Sequence, residues 1–418
     1  MWFRQAIPQR EAARFDTVSA EMLTAPVPEV APRLRRMAFY QGVFRANFDG
    51  TMTTMSRVVE GLAARGVEQL VLTPLPPAPE EESPTRVVPV RSLPFPFYPR
   101  YRVALPPRRK VWRLLDEFEP DLVQIGTPDL GGWCVLDWAR ARGVPAVGGY
   151  HTHFPSYLRY YRLGFMEGCI WRRFRSFYNA CARTLVPARA IMRELEEHGI
   201  ERLVLWDRGV DVESFSPRRR DPELRRQFGA EEEDVLFAYA GRFVAEKNVE
   251  PVARAFAMVR ERCPRARFVF IGDGPREAAV RRILPGAAFP GYLTGRELHR
   301  ACAAADVFCF ASDTEAFGNV VLEAMASGLA VVTLAGTAMG DRVGEAGAGL
   351  TVPRAEPELL AAALERLYGD PENRRRCAEN AVAYARRKNW TIVLEEHFRV
   401  YEEVLAERAG EPVRAGVS

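Results

Sequence analysis

The feature that most constrains this chain is an alternation of short apolar runs with stretches of helical periodicity, carried through once and then started again. Met37-Ala38-Phe39-Tyr40 reads as a first strand, and 53–65 as a helix with Met55, Val58, Val59, Leu62 and Ala63 on one face. Leu70-Val71-Leu72 reads as the next strand, and a proline-rich connection runs on through Pro99. Helix, strand, helix and strand recur at 111–118, Leu122-Val123-Gln124-Ile125, 132–142 and Ala146-Val147-Gly148. A second series starts after the hinge-like Trp206-Asp207-Arg208-Gly209-Val210-Asp211, with strands at 235–240, 267–271, 305–311 and 330–334 and a helix at 251–262. Strands spaced by helices of this length imply parallel sheets, so the expected class is α/β, with two facing doubly wound, Rossmann-like domains. Ligands of such sheets sit beyond the carboxyl ends of the strands. The expected division is an irregular extension over 1–33, a first domain over 34–205, a second over 206–389, and a C-terminal segment over 390–418. Its amphipathic helix would pack back on the first domain.

Composition excludes several alternatives. At 418 residues the chain exceeds one ordinary core, and 48% hydrophobic content excludes wholesale disorder. No apolar run approaches the roughly 18 residues that span a bilayer, and the N-terminal segment lacks the apolar stretch of a signal peptide, so cytosol is the default expectation. Seven scattered cysteines without a C-x-x-C pair read as reduced core residues, not as a zinc or disulfide framework. A net charge of +4 does not provide the field that nucleic acid requires. Of 58 basic residues only Lys110, Lys247 and Lys388 are lysines, which singles out Lys247 within a motif.

Chemistry concentrates in two segments of the second series. In the stretch from Ser312 to Gly328, Glu315 and Glu323 stand eight residues apart around a Phe317-Gly318-Asn319 turn, between an apolar strand and an Ala-rich helix. A helix N-terminus with free N–H groups and two carboxylates beside it suits an anionic ligand carrying hydroxyls, such as a sugar nucleotide. A helix whose Glu315 complements the dipole while Glu323 faces solvent is the bland alternative. Gly241-Arg242-Phe243-Val244-Ala245-Glu246-Lys247-Asn248 follows a strand directly. There an arginine fork and a lysine point charge are both within reach of a diphosphate. A solvated basic loop with Asn248 as a helix cap competes with that reading. Phe48-Asp49-Gly50-Thr51 follows the first strand, where Gly50 allows close approach to a phosphate or sugar. Ile271-Gly272-Asp273-Gly274-Pro275-Arg276 fails the dinucleotide fingerprint because Glu277 takes the third glycine position, which argues against a nicotinamide cofactor.

Elsewhere the signals are weaker. Tyr150-His151-Thr152-His153 has no carboxylate or cysteine at metal-ligand spacing, and the chain contains no D-x-D triplet, so no metal is expected. The run 157–178 interleaves aromatic residues with Arg159, Arg162, Arg172, Arg173 and Arg175, and Ile170, Phe174, Phe177 and Cys181 share a helical face. Such a helix suits an anionic membrane surface, or equally the packing of its apolar side on its own domain.

Taken together these residues resemble the retaining GT-B glycosyltransferases of family 4, over nearly the whole chain from Met37 to about Arg408. The specific elements are Glu315 to Glu323 as E-x7-E, Gly241-Arg242 with Glu246-Lys247-Asn248, and Arg208-Gly209-Val210-Asp211 leading to Phe215-Ser216-Pro217. Asn47-Phe48-Asp49-Gly50 and the run from Tyr150 to Tyr157 resemble members that glycosylate lipids, the glycolipid-forming α-mannosyltransferases and sulfoquinovosyl-diacylglycerol synthases. The resemblance implies that Glu315 holds the donor hexose, Glu323 the ribose diol, and Arg242 and Lys247 the diphosphate, assisted by Gly50 and the N–H groups near Phe317, Gly318 and Asn319. It implies His151 as the active-site histidine beside the transferred sugar, and backbone around Gly291-Tyr292-Leu293 as the contact to the base. Ala330 replaces a proline usual in the family, and Ala335-Gly336-Thr337-Ala338-Met339 replaces its double-glycine turn. The implied activity is metal-independent transfer of a hexose from a UDP- or GDP-linked donor to a lipid or glycolipid acceptor. The enzyme would be cytoplasmic and peripheral on the inner membrane face, without a cofactor or nucleic-acid partner. A transferase for a soluble acceptor, a nucleotide-sugar epimerase and a non-catalytic nucleotide-sugar or membrane-binding protein stay open at this point.

Overall fold

The structure is a computed structural model and describes residues 34–45, 50–76, 85–95, 98–150, 167–313, 315 and 317–410. The chain forms two compact units. One comprises the described parts of Met1–Val186, Leu195–Val204 and Leu394–Ser418; the other comprises Pro187–Glu194 and Leu205–Val393.

In the first unit β1 (Arg36–Tyr40), β2 (Glu68–Thr73) and β3 (Arg86–Pro89) precede a separate antiparallel hairpin of β4 (Ser92–Phe95) and β5 (Tyr98–Ala104). Then come β6 (Leu122–Ile125), β7 (Ala146–Gly149), β8 (Arg183–Val186) and β9 (Leu203–Leu205). Seven of these form one sheet in the order β3-β2-β1-β6-β7-β8-β9, with β1 paired in parallel to both β2 and β6. Helices Gly50–Ala64 and Leu130–Arg142 cover it, the second capped by Asp129, whose carboxylate accepts from the N–H of Gly131 and Gly132. β3 and the hairpin lie in the proline-rich stretch read as a mere connection. Proline is tolerated there because β3 is an edge strand ending at Pro89, where a missing N–H costs no ladder bond.

The second unit holds β10 (Val235–Ala240), β11 (Ala266–Ile271), β12 (Ala288–Gly291), β13 (Val307–Phe310), β14 (Ala330–Leu334) and β15 (Gly349–Val352). They form a parallel sheet in the order β12-β11-β10-β13-β14-β15. β10, β13 and β14 are buried at every residue. Their apolar runs are continuous because helices cover both faces of the sheet, so no position is left for a solvent-facing residue. The outer strands β12 and β15 are only partly buried, which is why no apolar run announces them.

The C-terminal helix Trp390–Arg408 joins the first unit from Leu394 onward, as its amphipathic pattern predicts. Phe398 packs on Gly61, where a Cβ would lie 3.0 Å from the ring, and Arg65 covers that ring at 4.1 Å. Tyr401 donates to the buried Gln124 of β6, and His397 Nε2 contacts the Tyr401 hydroxyl at 2.5 Å. The segment from Trp206 to Asp211, read as hinge-like, follows the boundary of the two units at Leu205 and belongs to the second. Trp206, Arg208 and Val210 are buried, the Val210 N–H donates to Lys388 O at 2.9 Å, and Gly209 lies against Trp390 with no room for a Cβ. It is packed into the second unit by residues some 180 positions away, beyond the reach of local pattern.

Candidate functional site

The order of the second sheet reverses between β10 and β13, and the loops leaving these two strands flank that switch point. Gly241-Arg242 opens the loop after β10, and Ala311 to Glu315 follows β13. Behind the first loop lies the turn after β11. A Cβ on Gly272, which has φ 128°, would fall 2.1 Å from Gly241 O, so only glycine permits the two loops to stack. Phe243 N–H donates to Asp273 O at 2.7 Å and Arg276 N–H to Phe243 O at 3.0 Å. The glycine turn of β11 therefore serves as a buttress for the Arg242 loop.

Side chains stitch the two flanking loops together. Asn248 does not cap the helix Val249–Arg262 through its side chain; it sits at φ 50° and its Nδ2 donates to Ala311 O at 2.9 Å. Ser312 Oγ donates to Glu246 O at 3.2 Å. Between these bonds Lys247 Nζ meets Glu315 Oε1 at 2.5 Å, the lysine more buried than the carboxylate. Two residues 68 positions apart thus form a charge-assisted pair at the strand ends. Arg242 is exposed on the same loop, and its guanidinium forms no ion pair among the described residues.

The Phe317-Gly318-Asn319 turn leads into the helix Asn319–Ala326. Gly318 occupies the left-handed region at φ 72°, and a Cβ there would lie 2.4 Å from the Met339 Cγ and Sδ atoms. Phe317 is buried, with Arg342 at 4.0 Å and Arg208 at 5.1 Å from its ring centroid. Glu323 does not face open solvent as the bland alternative had it. The residue is half-buried, and its carboxyl end sits among protein atoms near the Cys302 thiol, so desolvation raises its pKa to about 7. It is a hydrogen-bond acceptor held without a protein donor among the described residues.

The remaining expected residues are placed as follows. Leu293, partly buried on the core, follows β12 and the exposed Tyr292. Gly50 is the first residue of the helix Gly50–Ala64. His151 and the segment 46–49 lie outside the described residues, as do 157–166. The helix Glu167–Tyr178 turns Trp171, Phe174, Phe177 and Tyr178 into the first unit, where Trp171 stacks on His198 at 3.7 Å and Phe177 meets Trp133 at 5.2 Å. Its aromatic side is therefore core, and Arg172, Arg173 and Arg175 are presented outward together with Gly168, Cys169 and Ser176. Six cysteines are buried as expected, whereas Cys169 on this helix is exposed. Among the described residues no group of three or more His, Cys, Asp or Glu could hold a metal, and no helix is long and apolar enough to cross a membrane.

Two family models match in tandem: one described as Glycosyltransferase Family 4 over residues 48–214, the other as Glycosyl transferases group 1 over residues 220–383. A GDP-mannose-dependent alpha-mannosyltransferase of Mycobacterium tuberculosis is 32% identical over 380 residues, 89% of this chain and 98% of that one. The chain belongs to the family 4 glycosyltransferases. Sulfoquinovosyl transferase SQD2 of Arabidopsis thaliana is 36% identical over 312 residues, which covers 73% of this chain but only 60% of that relative's length. The crystal structure of Anabaena HepE in complex with UDP superposes with a TM-score of 0.70 at 17% identity, over 88% of this chain and 100% of that chain, and shares the GT-B fold. As a family 4 glycosyltransferase the protein is a hexosyltransferase.

Sequence reasoning did not place Arg208 and Arg342 against the Phe317 ring. An arginine inside a predicted linker and another inside an amphipathic helix look like surface charges. In the first unit it also missed the switch point between β1 and β6, where Gln41 is buried and Gly42 N–H donates to Thr127 Oγ1 at 3.1 Å. The only signal was a polar residue directly after an apolar strand.

Proposed function

We propose that the enzyme transfers a hexose from a UDP- or GDP-linked donor to a lipid-linked acceptor with retention of configuration and without a metal. The observation that carries this reading is the Lys247–Glu315 pair at the switch point, followed by a helix N-terminus and by Glu323, whose carboxyl has no donor among the described residues. Glu315, anchored by Lys247, would accept hydrogen bonds from the hexose hydroxyls, and Glu323 from the ribose diol. Arg242 and Lys247 would meet the diphosphate, joined by the N–H groups of Gly318 and Asn319 and by Gly50 at the start of its helix. The backbone beside Leu293 would meet the base, and His151 the transferred sugar. The bond from the anomeric carbon to the diphosphate oxygen breaks with its electron pair leaving on that oxygen. The acceptor hydroxyl bonds to the anomeric carbon from the same face, and its proton passes to the departing phosphate. Fixed cations and N–H dipoles stabilise the charge that develops there.

A lipid acceptor is supported by the resemblance of the segment from Tyr150 to Tyr157 and by basic surface in the first unit. Arg172, Arg173 and Arg175 are exposed on one helix, and Arg108, Arg109, Lys110 and Arg113 on another, beside exposed Leu93 and Leu105. Cations in this number would hold an anionic bilayer surface, with each adding roughly 1 kcal/mol.

Nucleoside diphosphate release, screened over UDP- and GDP-hexoses with and without diacylglycerol-type acceptors in anionic micelles, tests the reading. We expect acceptor-dependent release from one donor, unaffected by excess EDTA. Release that needs a soluble acceptor, or that EDTA stops and magnesium restores, contradicts the acceptor or the metal-free mechanism respectively.

Glu323 gives a pH signature. Its carboxyl, raised to about 7, is half protonated at neutrality, and the ionised form accepts two hydroxyls better. Affinity for the free nucleoside, which has no titrating phosphate, should therefore rise by about tenfold between pH 6 and 8, and Glu323→Gln should flatten that rise. The linkage has the opposite sign for the unliganded fold: stability from this group is full below its unfolded value and is lost as pH rises through about 7. A wild-type affinity independent of pH removes Glu323 from the ribose site.

A further inference from the structure

Against the Phe317-Gly318-Asn319 turn the second unit gathers two buried arginines, Arg208 and Arg342, with Lys388 close by. Lys388 Nζ lies 2.7 Å from Asp207 Oδ2, and Arg342 Nη2 lies 3.9 Å from the other oxygen of the same carboxylate. Arg208 is the third cation, and both arginines are only 5–6% exposed. Burying guanidinium groups is costly, and a fold that does so has a use for the geometry they impose.

The geometry is specific to the turn. The two guanidinium groups stack on the Phe317 ring, at 4.0 Å for Arg342 and 5.1 Å for Arg208. Arg342 Nη1 also donates to Phe317 O at 3.1 Å, and Arg208 Nη1 to Asn319 Oδ1 at 3.5 Å. In a trans peptide the carbonyl and the following N–H point in opposite directions. Holding Phe317 O toward Arg342 therefore aims the Gly318 N–H away from it, out of the cluster. Holding the Asn319 amide keeps that side chain from folding over the helix N-terminus. Neither the Gly318 nor the Asn319 N–H donates a hydrogen bond among the described residues.

We propose that Arg342, together with Arg208, is a positioning residue of the donor site. The pair clamps Phe317, points the Gly318 and Asn319 N–H groups at the leaving diphosphate, and supplies positive potential behind them without touching it. This rests on the reading that a nucleoside diphosphate leaves at this turn. In the full-length protein, titration calorimetry with UDP and GDP and with uridine and guanosine, alongside kcat and KM, tests it. Arg342→Met leaves Asp207 paired with Lys388, so it strands no carboxylate. We expect it to weaken nucleoside diphosphate binding about tenfold while nucleoside binding stays within about twofold, and to lower kcat more than it raises KM. Arg342→Lys should recover most of the diphosphate affinity, through its charge, but not kcat, which needs the fork. Unchanged diphosphate affinity and kcat in Arg342→Met overturn the inference. So does a parallel fall of nucleoside and diphosphate affinity with the melting temperature, which marks a purely structural role. If Arg342→Met does not fold, Phe317→Leu, which removes the ring but neither charge, is read by the same criteria. A wild-type protein that binds the nucleosides' diphosphates no better than the nucleosides overturns the underlying reading, and the inference with it.

Discussion

Lys247→Ala is expected to lower turnover by at least about a hundredfold, as removal of one preorganised electrostatic group does in other enzymes. The lysine has two tasks. It would meet the leaving diphosphate, and it pins Glu315 at 2.5 Å, so its loss also frees the carboxylate that would orient the hexose. Arg242→Ala should cost a similar factor for a different reason: the exposed guanidinium anchors no group among the described residues, so its role would be exerted on the ligand. The two variants should differ in coupling. Lys247→Ala combined with Glu315→Gln should be far less harmful than the product of the single effects, because the two side chains act as one unit. Arg242→Ala combined with Glu315→Gln should be closer to multiplicative. Steady-state kinetics on the five variants, Glu315→Gln alone included, decide the matter, and near-wild-type turnover in both alanine variants would remove the diphosphate assignment.

Gly318→Val should abolish measurable transfer and lower stability by about 2–4 kcal/mol, through overpacking and an unfavourable left-handed backbone. The backbone at φ 72° disfavours any side chain, a β-branched one most of all, and the new Cβ would overlap Met339 at 2.4 Å. The collision falls on the turn whose N–H groups are proposed to face the diphosphate, so donor binding should fail even in the molecules that stay folded. Gly318→Ala combined with Met339→Ala separates the causes, since it clears the space but keeps the strained backbone. It should recover part of the stability and part of the activity. Thermal unfolding together with nucleoside diphosphate binding checks this, and a Gly318→Val protein with unchanged melting temperature and affinity would contradict the turn geometry.

The sequence by itself determined the parallel α/β architecture, because strand and helix periodicities are local. A buried parallel strand such as Val235–Ala240 must be apolar on both faces, and that leaves a readable run. It also marked Arg242, Lys247, Glu315 and Glu323, since glycine-opened strand ends and a helix start bring reactive groups to predictable places. The pairing of Lys247 with Glu315 across 68 residues was not legible, because it depends on β10 and β13 being neighbours in the sheet. Local pattern likewise did not show that Lys388 and Trp390 enclose the segment from Trp206 to Asp211. The aromatic face of Glu167–Tyr178 was read in sequence as suited to a bilayer, with the core as the competing reading, because an amphipathic pattern shows that a face must be covered without showing by what. Trp133 and His198 decided for the core. Arg208 and Arg342 were invisible for the same physical reason: a charge is read as solvated until the fold surrounds it, and only tertiary packing brought both against one phenylalanine ring.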